Sequence, residues 1–376
     1  MAAMSAMTVS LIHIARHWRY NRTKVRKPTV RLLFIVPIFA MDCWACLMLE
    51  ASVYQWAELL TCIREVYEAV ALVSFMELML TILGGTQHLA VILVDESYLH
   101  SAGVPQPVPH VFPLCKILPA YQAGPQFLKS MLLGIFQYVF VCLAYMAVTC
   151  LIWALDVFGL LPPRLFVALK VVPNVTKAAS CAWALNCLLL FAHEVYAHVP
   201  PCGLFLKFLS IKGIVFFTFW QGFVIWICER TGGFQRALHY VDEKSTASGI
   251  NSVWWSEAQL KSGINDLLLC FEVLFFSVLH LFAYPAREVE TMPQSVVRRI
   301  EDPGEITLDR VLSAVNLMNL RKFRDEVESL GPGEHGEGPC SVTWFWSRLL
   351  LSGRERGGRA TSGEPLMSRP NAVAPQ

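Results

Sequence analysis

The sequence predicts an all-α, polytopic membrane helix bundle, and three observations predict it. First, 55% of the 376 residues are hydrophobic and only 16% are charged, against roughly 25% charged in soluble domains. Second, the apolar residues come in blocks of about 20, the length that crosses a bilayer as a helix. Third, Lys and Arg gather in particular loops between those blocks. A net charge of +2, with no basic patch interleaved with aromatics, excludes a nucleic-acid partner.

The blocks follow in order. MAAMSAMTVSLIHIA at the N-terminus is weakly apolar and too short to cross. It lacks the basic leader and small-residue cleavage site of a signal peptide, so residues 1–16 read as part of a first transmembrane helix. Six complete spans come next, at 31–50, 61–83, 131–157, 165–192, 204–228 and 263–284. Pro173, Asn174 and Lys177 interrupt the fourth. Gly84-Gly85 ends the second, and Pro285 ends the last. The chain thus divides into a partial first helix (1–16), a transmembrane bundle (17–284), a cytoplasmic segment (285–330) and a disordered tail (331–376). In the third part, Val311, Leu312, Val315 and Met318 recur at helical spacing and predict an amphipathic helix within 311–330. The tail is rich in Gly, Pro, Ser and Arg.

Short-loop charge gives an orientation. RHWRYNRTKVRKPTVR carries seven cations and no acid, which places it in the cytoplasm. The spans then alternate, and the basic tail (Arg287, Arg298, Arg299, Arg310) lands on the same side. The sequons at Asn21 and Asn174 fall in the cytoplasm and within a span, so both are expected to be unmodified.

Twelve cysteines form no disulfide framework. Most lie inside apolar runs, where Cys is a small hydrophobe. Cys43 and Cys46 spell a C-x-x-C within one span, with no second pair at zinc spacing. There is no Gly-x-Ser-x-Gly, P-loop, His-Glu-x-x-His or dinucleotide fingerprint. The expectation is a non-enzyme without cofactor or metal.

Ionisable side chains inside the spans are the informative residues, because each costs roughly 2.5–3.5 kcal/mol at mid-bilayer unless it has a partner, a cavity or a nearby interface. CIREVYEAVALVSFMEL (62–78) holds four. Arg64 and Glu68 are four apart and can pair along one helix face. Arg64 and Glu65 can also snorkel to the outer interface. Glu77 lies on the face opposite Glu68, nine residues on at about 100° each, so it needs a different partner, and Lys212 is at similar depth. Asp42, Asp266, Glu272 and His280 interrupt other spans. His280 reads as a helix-packing or interface residue, and the Phe/Trp run at 216–220 as lipid-facing or packing surface. Such charges either lock a bundle or line a polar path.

Four blocks resemble the organic solute transporter alpha / transmembrane protein 184 family, from about Leu11 to Leu330. They are the basic loop entering Arg31-Leu-Leu-Phe-Ile-Val-Pro-Ile-Phe-Ala40; Arg64-Glu-Val-Tyr-Glu-Ala69 running to Gly84-Gly85; Phe127-Leu-Lys129 followed by Gly134 and Gln137-Tyr138; and Lys207-Phe208, Lys212 and Phe216-Phe-Thr-Phe-Trp-Gln-Gly222, followed by Asn265-Asp266 and Glu272. The resemblance implies a seven-span bundle with an outer N-terminus and a cytoplasmic C-terminus, the first helix truncated here. It implies transport of amphipathic organic solutes, steroid- or bile-acid-like anions, by facilitated diffusion. The polar set for such a path is Arg64, Glu65, Glu68, Lys129, Gln137, Lys212, Gln221, Asp266 and Glu272.

Two departures bear on the branch. Thr86 follows the Gly-Gly where the family often has an acid, and VFPLCKILPAY has only Cys115 where transporter members have a cysteine cluster. Both lean towards the transmembrane protein 184 branch. Implied partners are membrane lipid and an organic solute, with a single-span partner subunit in the transporter branch and a second copy of the chain as further partners. The rival expectation is a non-transporting vacuolar or endosomal membrane scaffold that recruits cytoplasmic partners through helix 311–330. The membrane is the plasma membrane or an endomembrane.

Overall fold

The computed structural model describes residues 1–49, 55–100, 107–110, 114–116, 120–122, 124–160, 162–200, 202–247, 257–302, 325–327 and 329–330. Helix 311–330, apart from its last residues, and the tail from Gly331 lie outside them.

The described chain is a helix bundle: α1 (Ala2–Tyr20), α2 (Arg26–Leu33), α3 (Ile35–Met48), α4 (Gln55–Leu83), α5 (Thr86–His100), α6 (Pro125–Val157), α7 (Pro163–Val195), α8 (Leu204–Arg230), α9 (Gly233–Ala247), α10 (Glu257–Ala283) and α11 (Gln294–Ile300). Between α5 and α6 lies a two-residue antiparallel ribbon, β1 (Pro107–Val108) with β2 (Tyr121–Gln122). Among the described residues, six helical stretches are long and apolar enough to cross a membrane. They are α2–α3 together, α4, α6, α7, α8 and α10, matching the six apolar blocks. The chain is thus an integral membrane protein of all-α architecture.

Proline chemistry shapes the first span. Pro37 has no N–H, and its ring displaces the carbonyl four residues back. That carbonyl is Leu33, and the helix breaks beside it, between α2 and α3. The freed oxygen is not left bare: buried Ser10 of α1 donates its hydroxyl to it at 3.2 Å. α7 runs continuously through Pro173, so the interruption expected there does not stop the helix.

The N-terminal helix extends to Tyr20, past the expected end at Arg16. It packs on α3 and α10. α10 stops before Pro285, and the Tyr284 carbonyl in that last turn lacks a helical partner. His13 and His17 lie four apart on one face of α1. Both rings donate Nε2–H to that oxygen, at 2.8 and 2.9 Å.

The basic end of the bundle is tied together by backbone. Lys24 N–H donates to Ile300 C=O at 2.8 Å, and Asp302 N–H to Arg22 C=O at 3.3 Å. These bonds flank a Thr23–Glu301 bridge. Gly84 (φ 96°) and Gly85 (φ 96°) close α4 in the left-handed region, as expected of that pair. Arg299 from α11 donates to the Leu83 carbonyl at 3.2 Å.

Close helix contact requires glycine at Gly134. A Cβ there would sit 2.4 Å from Cys187 Sγ, where α6 meets α7. Gly134→Ala is expected to destabilise the detergent-solubilised protein by about 1–3 kcal/mol, as overpacking does. Gly134→Ala with Cys187→Ala removes the clashing sulfur and should recover most of the loss. Thermal unfolding followed by size exclusion measures both.

Candidate functional site

The site is built on α4. Its N-terminal half carries Arg64, Glu65 and Glu68, and Glu77 lies two to three turns further on. Each finds an opposite charge on a different helix. Arg64 Nη1 meets Asp42 Oδ2 of α3 at 2.7 Å. Lys177 Nζ of α7 meets Glu65 Oε1 at 2.6 Å. Lys212 Nζ of α8 meets Glu68 Oε1 at 3.1 Å. Arg31 Nη1 of α2 meets Glu77 Oε2 at 2.7 Å.

Two expected pairings are thereby corrected. Arg64 does not pair with Glu68 along α4, and Lys212 does not pair with Glu77. An intrahelical pair would have left Asp42 and Lys212 stranded in apolar surroundings. Interhelical pairing neutralises every one of these charges. Glu77 does need a partner other than that of Glu68, because the two point to opposite sides of α4. Arg31, read from sequence as the end of a cytoplasmic basic loop, is buried inside the bundle. The snorkelling expected of Arg64 and Glu65 is replaced by direct pairing.

Side-chain exposures of the two lysine pairs are 16% for Lys177 and 24% for Glu65, and 11% for each of Lys212 and Glu68. The pairs are partly open, whereas Asp42 is 5% exposed. Lys177 also sits 3.9 Å from the centroid of the Tyr145 ring, and Tyr145 donates to Asn174 Oδ1 at 3.2 Å. An aromatic face thus adjoins a fixed cation.

The remaining members of the expected polar set fall elsewhere. Gln137 of α6 is tied to Ser180 of α7: Ser180 Oγ donates to Gln137 Oε1 at 3.1 Å, and Gln137 Nε2 to the Ser180 carbonyl at 3.3 Å. Gln221 of α8 donates to both oxygens of Asn265 on α10 at 2.8 Å. Asp266 and Glu272 are on α10, away from the α4 pairs except that Asp266 lies within the electrostatic reach of Arg64. Lys129 sits in the first turns of α6 and joins none of these groups by a described contact. The structure therefore brings together Arg64, Glu65, Glu68 and Lys212, and adds Asp42, Arg31 and Lys177. A lysine amid an apolar run was the signal for Lys177. Nothing in the sequence marked Arg31 apart from its basic neighbours.

Removing one member of a buried pair leaves an uncompensated charge. Arg64→Met is expected to cost about 3–5 kcal/mol and to lower the melting temperature of the purified protein. The double variant Arg64→Met with Asp42→Leu should regain much of it, since neither charge then remains. A double variant no more stable than the single would show that Asp42 is satisfied without Arg64.

The chain matches the family described as "Organic solute transporter Ostalpha" over residues 1–289. It is 26% identical over 283 residues to Protein LAZ1 homolog 1 of Arabidopsis thaliana, covering 71% of this chain and 52% of that protein. It is 27% identical over 289 residues to Vacuole membrane protein HFL1 of Saccharomyces cerevisiae, covering 76% of this chain and 60% of that protein. Protein LAZ1 homolog 2 of Arabidopsis thaliana is 27% identical over 326 residues, covering 84% and 72% respectively. The chain thus spans between about half and six-tenths of the length of the first two relatives. No solved structure matches it.

Proposed function

The chain belongs to the organic solute transporter Ostalpha family, and from that premise we propose that it moves amphipathic organic anions across a membrane by facilitated diffusion. The observation that carries this reading is the pair of lysines held by neighbouring acids of α4, Lys177 by Glu65 and Lys212 by Glu68. An anionic headgroup such as a sulfate or carboxylate can replace either glutamate at its lysine, while a steroid-like body lies on the surrounding apolar side chains. The carboxylate then returns to its lysine and releases the anion. Exchange of counter-ions keeps each lysine neutralised throughout, and the path must solvate the displaced glutamate while the anion is bound. Helix α1, counted with the six spans, completes a bundle of the seven-span type.

The second reading is a non-transporting scaffold of an endomembrane. One relative's name places that yeast protein at the vacuole membrane, which supports an endomembrane location here at least as well as the cell surface.

Uptake of a labelled steroid sulfate into vesicles holding the full-length protein tests the first reading, with and without a candidate single-span partner. Lys212→Met should lose most of the flux. Glu68→Gln frees Lys212 to hold the anion, so half-saturation should fall while the maximal rate also falls. Absence of flux in the parent protein under both conditions would leave the scaffold.

A further inference from the structure

All four α4 charges described above are matched by a counter-charge; two acids of α10, Asp266 and Glu272, are not matched among the described residues. Ser262 Oγ is 3.5 Å from Asp266 Oδ2, at the limit of a hydrogen bond. Glu272 Oε2 is buried and has no hydrogen-bond partner. A carboxylate in that position would be costly, since nothing offsets its lost hydration.

The same seam continues with imidazoles. α8 and α10 run antiparallel, with Gln221 against Asn265 at one end and Tyr284 donating to the Lys207 carbonyl at the other. Between them, Phe276 lies against Gly213, and His280 Nε2 donates to the Ser210 carbonyl at 3.3 Å. Glu272 is seven residues from Asn265, two turns along the same face. At the basic end His13 and His17 join through the Tyr284 carbonyl, their rings 5.0 Å apart. Five buried side-chain atoms on this seam have no hydrogen-bond partner among the described residues: Gln221 Oε1, Glu272 Oε2, and Nδ1 of His280, His13 and His17. Buried polar atoms of this kind take water as partner.

We propose that the seam of α10 with α8 and α1 is a proton path, formed by Asp266, Glu272, His280, His17 and His13 with water between them. The carbonyl partners carry the chemistry. A carbonyl only accepts, so each ring must hold its proton on Nε2, which leaves the Nδ1 lone pair to receive another. A proton taken at Nδ1 from one water is handed from the same Nδ1 to the next, the Nε2–H staying on its carbonyl, and a carboxylic acid takes and hands on a proton in the same way. The charge that enters at Asp266 leaves at the basic end beside the Lys207–Glu288 pair. Asp266 to Glu272 spans about 9 Å of helix and Glu272 to His280 about 12 Å, distances that water must bridge. The charged and titratable groups in electrostatic reach of the file are Asp42 and Arg64 at Asp266, Arg16 at His13 and His17, Lys207 at His17, and Glu288 at Tyr284.

This path stands apart from the facilitated diffusion proposed above, and its test requires no organic solute. Full-length protein is reconstituted in liposomes containing a pH-sensitive dye, and a potassium diffusion potential is applied with valinomycin. The parent should pass protons well above protein-free vesicles. Glu272→Gln, near-isosteric and therefore the primary variant, should lose most of that flux, and His280→Gln should do the same. Infrared spectra of the parent should also show a protonated carboxyl band that Glu272→Gln removes. Parent flux equal to protein-free vesicles, or unchanged flux and spectrum in Glu272→Gln, overturns the proposal. Proton flux without steroid sulfate flux sustains the seam and removes the solute reading; the reverse result removes the seam alone.

Discussion

A charge in an apolar interior must be matched by another, and in this bundle that requirement is concentrated on one helix. α4 is the most buried of the six spans, and four of its charged side chains end on α2, α3, α7 and α8. Hydrophobic packing cannot by itself tell one apolar helix from another in lipid, because lipid tails are as apolar as leucine. Ion pairs can. Each fixes which helix neighbours α4, at what depth and with which face. The pairs therefore specify arrangement more than they add stability, since desolvation offsets much of the Coulomb attraction of a buried pair.

The remaining contacts follow the same logic at smaller scale. Pro37 opens a backbone acceptor and Ser10 closes it. Pro285 ends α10, and two histidines of α1 cap the exposed carbonyl. Backbone polar groups in a bilayer must be satisfied internally, so these two irregularities each recruit polar side chains from a neighbour. That is why residues as polar as His13 and His17 lie buried in the middle of an otherwise apolar packing surface.

The six spans were legible because length and hydropathy alone decide them. Helices α5 and α9 were not, since they lie in connecting segments without a long apolar block. The charged residues were legible as a set, but not their partners. Sequence spacing reveals neighbours along one helix, so it suggested Arg64 with Glu68. Which helices stand beside α4, and how each is rotated, is tertiary information that spacing does not hold. Arg31 shows the cost most plainly. Seven cations within residues 16–31 read as one basic segment, yet the helix begins at Arg26, and its second turn carries Arg31 inward to Glu77. Gln221 was grouped with the α4 charges by polarity, while the fold ties it to Asn265 on α10.

The double cap on Tyr284 has a consequence for assembly. Its two halves are separated by 271 residues of chain, so the donors on α1 exist long before their acceptor. At a synthesis rate of roughly 5–20 residues per second, the wait lasts about 15–50 s. Throughout that interval the imidazoles of α1 lack this acceptor, and α10 supplies it when it is made. Assembly thus closes a later helix upon an earlier one, and the α1 contact is incomplete until α10 arrives.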